Sequence, residues 1–89
     1  MPKERILIVD DEKNIVSSLT GILSDEGYEV AETGDGVEAL EIIQADPPDL
    51  VLLDIWLPGM DGIEVLKTVK DYHPEIAVLI MSGHGTIDT

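Results

Sequence analysis

Residues 50–54 have the sequence LVLLD, in which four aliphatic side chains are followed directly by a carboxylate. A continuously apolar run of this length is typical of a strand that is buried on both faces of a parallel sheet. Residues 6–11, with the sequence ILIVDD, repeat the pattern with two carboxylates after the apolar run. The two segments predict a pair of buried parallel strands whose acidic residues follow their carboxyl ends.

Two further apolar runs, at residues 28–31 and 76–81, bring the number of predicted strands to four. Between the strands, apolar residues recur at the spacing of an amphipathic helix. These residues are Ile15, Val16, Leu19, Ile22 and Leu23 in the first helix, Val37, Leu40 and Ile43 in the second, and Ile63, Leu66 and Val69 in the third. Gly27 is expected to end the first helix in a left-handed cap, while Pro47 and Pro74 prevent the other two from continuing.

The alternation of strands and helices predicts an α/β fold, because right-handed crossovers let each helix pack back on a parallel sheet. A chain of 89 residues is long enough for one domain and too short for two, so we assign residues 1–89 to a single unit. Residues 85–89 resemble the start of another helix, and we therefore expect the domain to be incomplete at this end.

The composition excludes several classes of function. The chain has 19 acidic and 5 basic residues and a formal net charge of −14, which repels nucleic acid and anionic membranes. The longest apolar run, residues 76–81, is too short to span a membrane, and no signal peptide is recognisable, so the expected compartment is the cytoplasm. Without cysteine and with only two histidines, the chain is more suited to a metal bound through oxygen than to zinc.

Asp10, Asp11 and Asp54 directly follow predicted strands, and ligands of open α/β sheets bind at that edge. If the first and third strands are neighbours and the second lies outside the first, the three carboxylates share one pocket. Two unit charges about 4 Å apart repel each other by roughly 4 kcal/mol at an effective dielectric constant of about 20. A hard cation such as Mg²⁺ would relieve this repulsion, and it commonly binds carboxylates together with a phosphate.

Each of these acidic residues also has an ordinary structural interpretation. Asp10 and Asp11 precede the first helix, where aspartate often caps the amino terminus. Asp54 begins a loop that contains the turn-forming pair Asp61 and Gly62. The turn interpretation is the weaker of the two, because no turn requires a carboxylate directly after a buried strand.

Three stretches together resemble the receiver domains of bacterial two-component response regulators. These are VDDE at residues 9–12, LDIWLPGMDG at residues 53–62 and MSG at residues 81–83, in the order and spacing of that family. The resemblance runs the whole length of the chain. It implies a flavodoxin-like, doubly wound parallel sheet with the strand order 2-1-3-4, to which complete receivers add a fifth strand.

The resemblance also implies roles for individual residues. Asp54 would accept a phosphoryl group from the phosphohistidine of a sensor histidine kinase. Asp11 and Asp54 would bind Mg²⁺ directly, with Mn²⁺ as an alternative, and Asp10 would assist partly through water. The backbone carbonyl of Trp56 would supply another ligand. Ser82 matches the switch hydroxyl of the family, with an ordinary serine at a strand end as the alternative. Such a domain is a signalling phosphoacceptor that assists its own phosphorylation and dephosphorylation, not an enzyme.

The motifs look closest to the receivers of nitrogen-regulation-type regulators, in which the receiver controls a sigma-54-dependent transcriptional output domain. Residues 1–89 lack the fifth strand of the family, whose terminal lysine contacts the phosphoryl group. The fourth strand is therefore expected to be an exposed edge, through which the chain could self-associate or form a homodimer.

Three other classes of function share part of the pattern. Phosphatases related to haloacid dehalogenases use an aspartyl nucleophile, but they place a second aspartate where this chain has Trp56. Nucleotide- and flavin-binding α/β domains carry a glycine-rich phosphate loop, which this sequence lacks. An interaction module that had lost the chemistry would not need the complete acidic set.

Overall fold

The computed structural model describes residues 4–57 and 60–81, and these residues form four strands and three helices. The strands are β1 Arg5–Val9, β2 Glu29–Thr33, β3 Leu50–Asp54 and β4 Ala77–Met81, and the helices are α1 Lys13–Asp25, α2 Gly36–Ala45 and α3 Gly62–Tyr72. This order confirms the predicted alternation of strands and helices.

The strands form one parallel sheet in the order β2-β1-β3-β4. Val9, the last residue of β1, lies opposite Thr33 on one side and Leu53 on the other. The residues that follow Val9 and Leu53 therefore lie side by side at the same edge of the sheet. This order confirms the doubly wound α/β fold and satisfies the condition under which the acidic residues were expected to meet.

The sheet is covered on both faces by helices. The larger core lies under α2 and α3 and consists of Leu7, Val9, Ala39, Ile43, Val51, Leu53, Val65, Val69 and Ile76. The smaller core lies under α1 and consists of Ile6, Ile8, Val16 and Leu52. Successive residues of β1 and β3 contribute to opposite cores, which explains why both strands are continuously apolar.

Hydrogen bonds in the turns set the bounds of the elements. Gly27 has a φ of 97°, as predicted for a left-handed cap, and the Tyr28 N–H donates to the Leu23 carbonyl at 3.1 Å. These two features form a Schellman motif that ends α1. Because the Tyr28 N–H is used by the helix cap, β2 begins one residue later than the apolar run suggested. Similarly, Ile76 lies in a turn before β4, which begins at Ala77.

β4 is the more exposed end of the sheet. Within residues 4–57 and 60–81 it pairs only with β3, and Leu79 and Ile80 remain 58% and 41% exposed. These exposed apolar side chains agree with the expectation that the fourth strand is an exposed edge. Self-association through this strand stays a prediction. In the part of the chain that the structure describes, no helix has the length and apolar character needed to cross a membrane.

Candidate metal centre

Three carboxylates meet at the carboxyl edge of the central strands. Asp10, Asp11 and Asp54 each place one carboxylate oxygen so that the three atoms lie within 4.8 Å of one another. Asp54 is the last residue of β3, while Asp10 and Asp11 follow the neighbouring strand β1. The structure thus brings together the three acidic residues that the sequence singled out.

The two buried carboxylates are each held by one backbone donor. Asp10 is 3% exposed, and its Oδ1 accepts a hydrogen bond of 2.8 Å from the Glu12 N–H. Asp54 is fully buried, and its Oδ1 accepts one of 2.9 Å from the Trp56 N–H. In both residues the Oδ2 atom is buried and has no hydrogen-bond partner among the described residues. A buried carboxylate oxygen without a donor is costly, so each Oδ2 is suited to a ligand.

These contacts decide between the structural interpretations. The residue that caps α1 is Glu12, not Asp10 or Asp11, and its side chain makes no capping hydrogen bond. The capping hypothesis for the acidic pair is therefore wrong. For Asp54, the bond from the Trp56 N–H is a turn contact of the kind expected, but it occupies only one of the two carboxylate oxygens.

The electrostatics of the cluster are unfavourable without a cation. Burial raises the pKa of the Asp10 carboxyl, the hydrogen bond from Glu12 partly lowers it, and the negative charge of Asp54 raises it further. No ion pair between described residues reaches any of the three carboxylates. No cation from this part of the chain therefore neutralises the cluster, and the raised pKa of Asp10 favours its protonated form.

The donor set fits a hard divalent cation. All three groups are carboxylates, two of them have an oxygen with no hydrogen-bond partner among the described residues, and Mg²⁺ prefers oxygen ligands. A cleft of about 450 Å³ leads to the cluster and is lined by Asp11, Ile55, Trp56, Leu57 and Asp61. The Trp56 side chain is 60% exposed beside this cleft. Ser82, the predicted switch residue, lies outside the described residues.

Residues 6–89 match the model of the response regulator receiver domain family. The chain belongs to this family. Sporulation initiation phosphotransferase F of Bacillus subtilis is 46% identical to this receiver domain, with 99% of the chain and 71% of the relative covered. The nitrogen assimilation regulatory protein NtrX of Azorhizobium caulinodans is 50% identical, with 94% of the chain but only 19% of the relative covered. A CheY-like receiver domain protein from Methanospirillum hungatei has a TM-score of 0.90 at 36% identity, covering 97% of this chain and 69% of that one.

Gly62 lies against the backbone of Asp54 and Ile55, a contact that the sequence did not reveal. The Gly62 N–H donates to the Ile55 carbonyl at 3.3 Å. A Cβ atom at Gly62 would lie 2.4 Å from the Ile55 Cα and 2.7 Å from the Asp54 carbonyl oxygen. The first residue of α3 thus lies directly against the backbone that carries Asp54. The sequence had placed Gly62 in a turn-forming pair and in the motif shared with receiver domains, but no local pattern indicated this contact.

We predict that Gly62→Ala destabilises the receiver domain and Gly21→Ala stabilises it. Both glycines are helical, and alanine is normally favoured in a helix by about 0.5–1 kcal/mol. A Cβ atom at Gly21 would meet no side chain or neighbouring segment within 4 Å, whereas the backbone contacts of Gly62 would cost about 1–3 kcal/mol through overpacking. Urea unfolding followed by circular dichroism measures both changes. Equal shifts in the same direction would contradict the close contact.

We also predict that Asp10→Asn raises the free energy of unfolding at neutral pH in metal-free buffer. A carboxyl whose pKa is raised by folding contributes stability below its unfolded pKa of about 3.9, and this contribution is lost as the pH rises through the folded pKa. The gain from Asp10→Asn should therefore shrink as the pH is lowered towards about 4. Urea unfolding across this pH range in the presence of a chelator measures the effect.

The control for this pH series is Glu41→Gln, which removes one negative charge from an exposed position on α2. It accounts for the general benefit of a smaller net charge. A gain from Asp10→Asn no larger than that from Glu41→Gln would show that the buried carboxylate carries no special cost.

Proposed function

We propose that the protein is the phosphoryl-accepting receiver of a two-component signalling system, with Asp54 as the acceptor. The observation that carries this proposal is the Asp54 carboxylate, which is fully buried and whose Oδ2 has no hydrogen-bond partner among the described residues, next to two further carboxylates. One oxygen is fixed by the Trp56 N–H, so the orientation of the carboxylate is set before a substrate arrives. The membership of the receiver family supports the same role.

The proposed reaction is the attack of an Asp54 oxygen on the phosphorus of a phosphohistidine in a sensor histidine kinase. An O–P bond forms, the N–P bond breaks, and its electron pair remains on the imidazole, which takes a proton from water. The product is an aspartyl phosphate. The Trp56 N–H holds the carboxylate in place, and the cleft beside Trp56 reaches Asp11, the neighbour of Asp54 in the cluster.

Mg²⁺ is the proposed cofactor, and Mn²⁺ can take its place. Asp11 and Asp54 would bind the ion directly, Asp10 partly through water, and the Trp56 carbonyl would add a ligand. When bound, the ion neutralises negative charge that develops on the phosphoryl oxygens. The carboxylate oxygens without a hydrogen-bond partner support this assignment, as does the lack of an ion pair to the cluster among the described residues.

The wider role is also a proposal. Residues 1–89 would form the receiver part of a cytoplasmic response regulator, a signalling phosphoacceptor that makes no direct contact with nucleic acid or membrane. The chain covers 19% of the NtrX relative, so an output domain would belong to the same longer chain, and a sigma-54-dependent transcriptional regulator fits the likeness to NtrX. Ser82 would act as the switch hydroxyl. The exposed apolar residues of β4 would support self-association or a homodimer.

The proposal predicts that acetyl phosphate and Mg²⁺ add one phosphoryl group to the protein and that Asp54→Asn abolishes the label. The amide of asparagine cannot act as the nucleophile, so we expect complete loss of label. Intact-mass spectrometry after a short incubation measures the adduct. Removal of the metal with a chelator should also suppress it, since no ion pair from residues 4–57 or 60–81 offsets the charge of the three carboxylates.

Glu41→Gln serves as the control and should be labelled as fast as the parent protein, because Glu41 lies on α2 away from the cluster. Label that persists in Asp54→Asn would show that another residue is the acceptor. A parent protein that takes no label with Mg²⁺ present would contradict the proposed function.

A further inference from the structure

The turn that follows β2 lies against the backbone of the acidic pair. The Asp10 N–H donates to the Thr33 carbonyl at 3.0 Å. A Cβ atom at Gly34 would lie 3.3 Å from the Asp11 Cα and 3.5 Å from the Asp10 carbonyl oxygen, so there is little room for a side chain between the two backbones. The position of residues 10–11 therefore depends on the position of this turn.

The turn is itself held by the Thr33 side chain. Thr33 is 6% exposed, and its hydroxyl oxygen accepts a hydrogen bond of 3.2 Å from the Asp35 N–H. The same hydroxyl donates to the carboxylate of Glu38 in the first turn of α2. One hydroxyl can do both, since it has one donor and two acceptor sites. Thr33 thereby connects the end of β2 to the start of α2.

Asp11 is the member of the cluster that most depends on this support. Its side chain is exposed, and none of the side-chain hydrogen bonds among the described residues involves its carboxylate. Asp10 and Asp54, in contrast, are buried and oriented by backbone donors. Among the described residues, only the backbone therefore restrains the region that the Asp11 carboxylate can reach, and the turn after β2 lies against that backbone.

We propose that Thr33 and Glu38 are positioning residues for the metal centre. Their hydrogen bond fixes the turn at residues 33–34, and the turn holds Asp10 and Asp11 where their carboxylates can share a cation with Asp54. Neither Thr33 nor Glu38 belongs to the cluster of carboxylates, so both act through the backbone. The inference rests on the proposed function, because it assumes that this cluster binds a divalent cation.

The test is a Mg²⁺ titration of the purified protein, followed by the fluorescence of Trp56, which is the only tryptophan and lies beside the cleft. Thr33→Val removes the hydroxyl and keeps the shape of the side chain, while Thr33→Ser keeps the hydroxyl. Supporting residues outside a ligand set typically contribute about 10–100-fold to metal affinity. We expect Thr33→Val to raise the Mg²⁺ dissociation constant by about tenfold, and Thr33→Ser to restore most of the affinity.

Glu38→Ala provides a second route to the same contact, at an exposed position where a folding failure is not expected. It also removes a negative charge, which by itself weakens the attraction for Mg²⁺. Glu41→Ala is the matched control, because it makes the same change at an exposed position on the same helix. We expect Glu38→Ala to weaken binding about tenfold more than Glu41→Ala. The double variant Thr33→Val/Glu38→Ala should be little weaker than the weaker of the two single variants, because each single variant already removes the Thr33–Glu38 bond.

The titration separates the positioning role from the metal centre itself. If the parent protein responds and Asp54→Asn does not, but Thr33→Val and Glu38→Ala bind as tightly as the parent and Glu41→Ala, the positioning role is overturned and the metal centre stands. If the parent itself gives no saturable response, the metal centre is overturned and the positioning role with it. Variants that lose stability to urea but keep the parent's affinity would show that the Thr33–Glu38 contact is structural only.

Discussion

The mutual repulsion of three carboxylates at one edge of the sheet is the constraint on which the functional architecture depends. Asp10, Asp11 and Asp54 place oxygens within 4.8 Å of one another, and two of these side chains are removed from water. At such separations each pair of charges repels by several kcal/mol when solvent screening is reduced. The parallel pairing of β1 with β3 enforces this arrangement, because the register leaves the acidic residues side by side.

Among the described residues, backbone N–H groups stabilise these carboxylates and no cationic side chain pairs with them. The N–H groups of Glu12 and Trp56 each satisfy one oxygen, and the second oxygen remains available. Basic residues make contacts elsewhere: Arg5 pairs with Asp46 at the opposite end of β1, and Lys70 donates to a backbone carbonyl before β4. The charge of the cluster is therefore available to a bound metal ion, at a cost in stability when no ion is bound.

The parts of the fold that were predictable are those with a local signal. The continuous apolar runs identified β1 and β3, because strands buried on both faces cannot alternate. Gly27 marked the end of α1 because a left-handed residue there favours glycine.

The meeting of the carboxylates followed from the strand order, which no local pattern indicates and which the likeness to receiver domains supplied. Contacts between successive elements were not predictable: the approach of Gly62 to the Asp54 backbone and the Thr33–Glu38 bond each join the end of a strand to the following helix, and neither has a periodic signature. The capping hypothesis for Asp10 failed for a related reason, since the pairing of β1 draws Asp10 into the buried sheet edge and leaves Glu12 at the cap.

The measurement that tests the central claim most directly is the free energy of unfolding of the parent protein as a function of Mg²⁺ concentration at constant ionic strength. If the three carboxylates form a strained site that a cation relieves, stability should rise by about 1.4 kcal/mol for each tenfold increase in Mg²⁺ above the dissociation constant. Sodium chloride at matched ionic strength should produce no such slope. A stability that responds equally to the two salts would contradict the account, because the cluster would then carry only a screened surface charge.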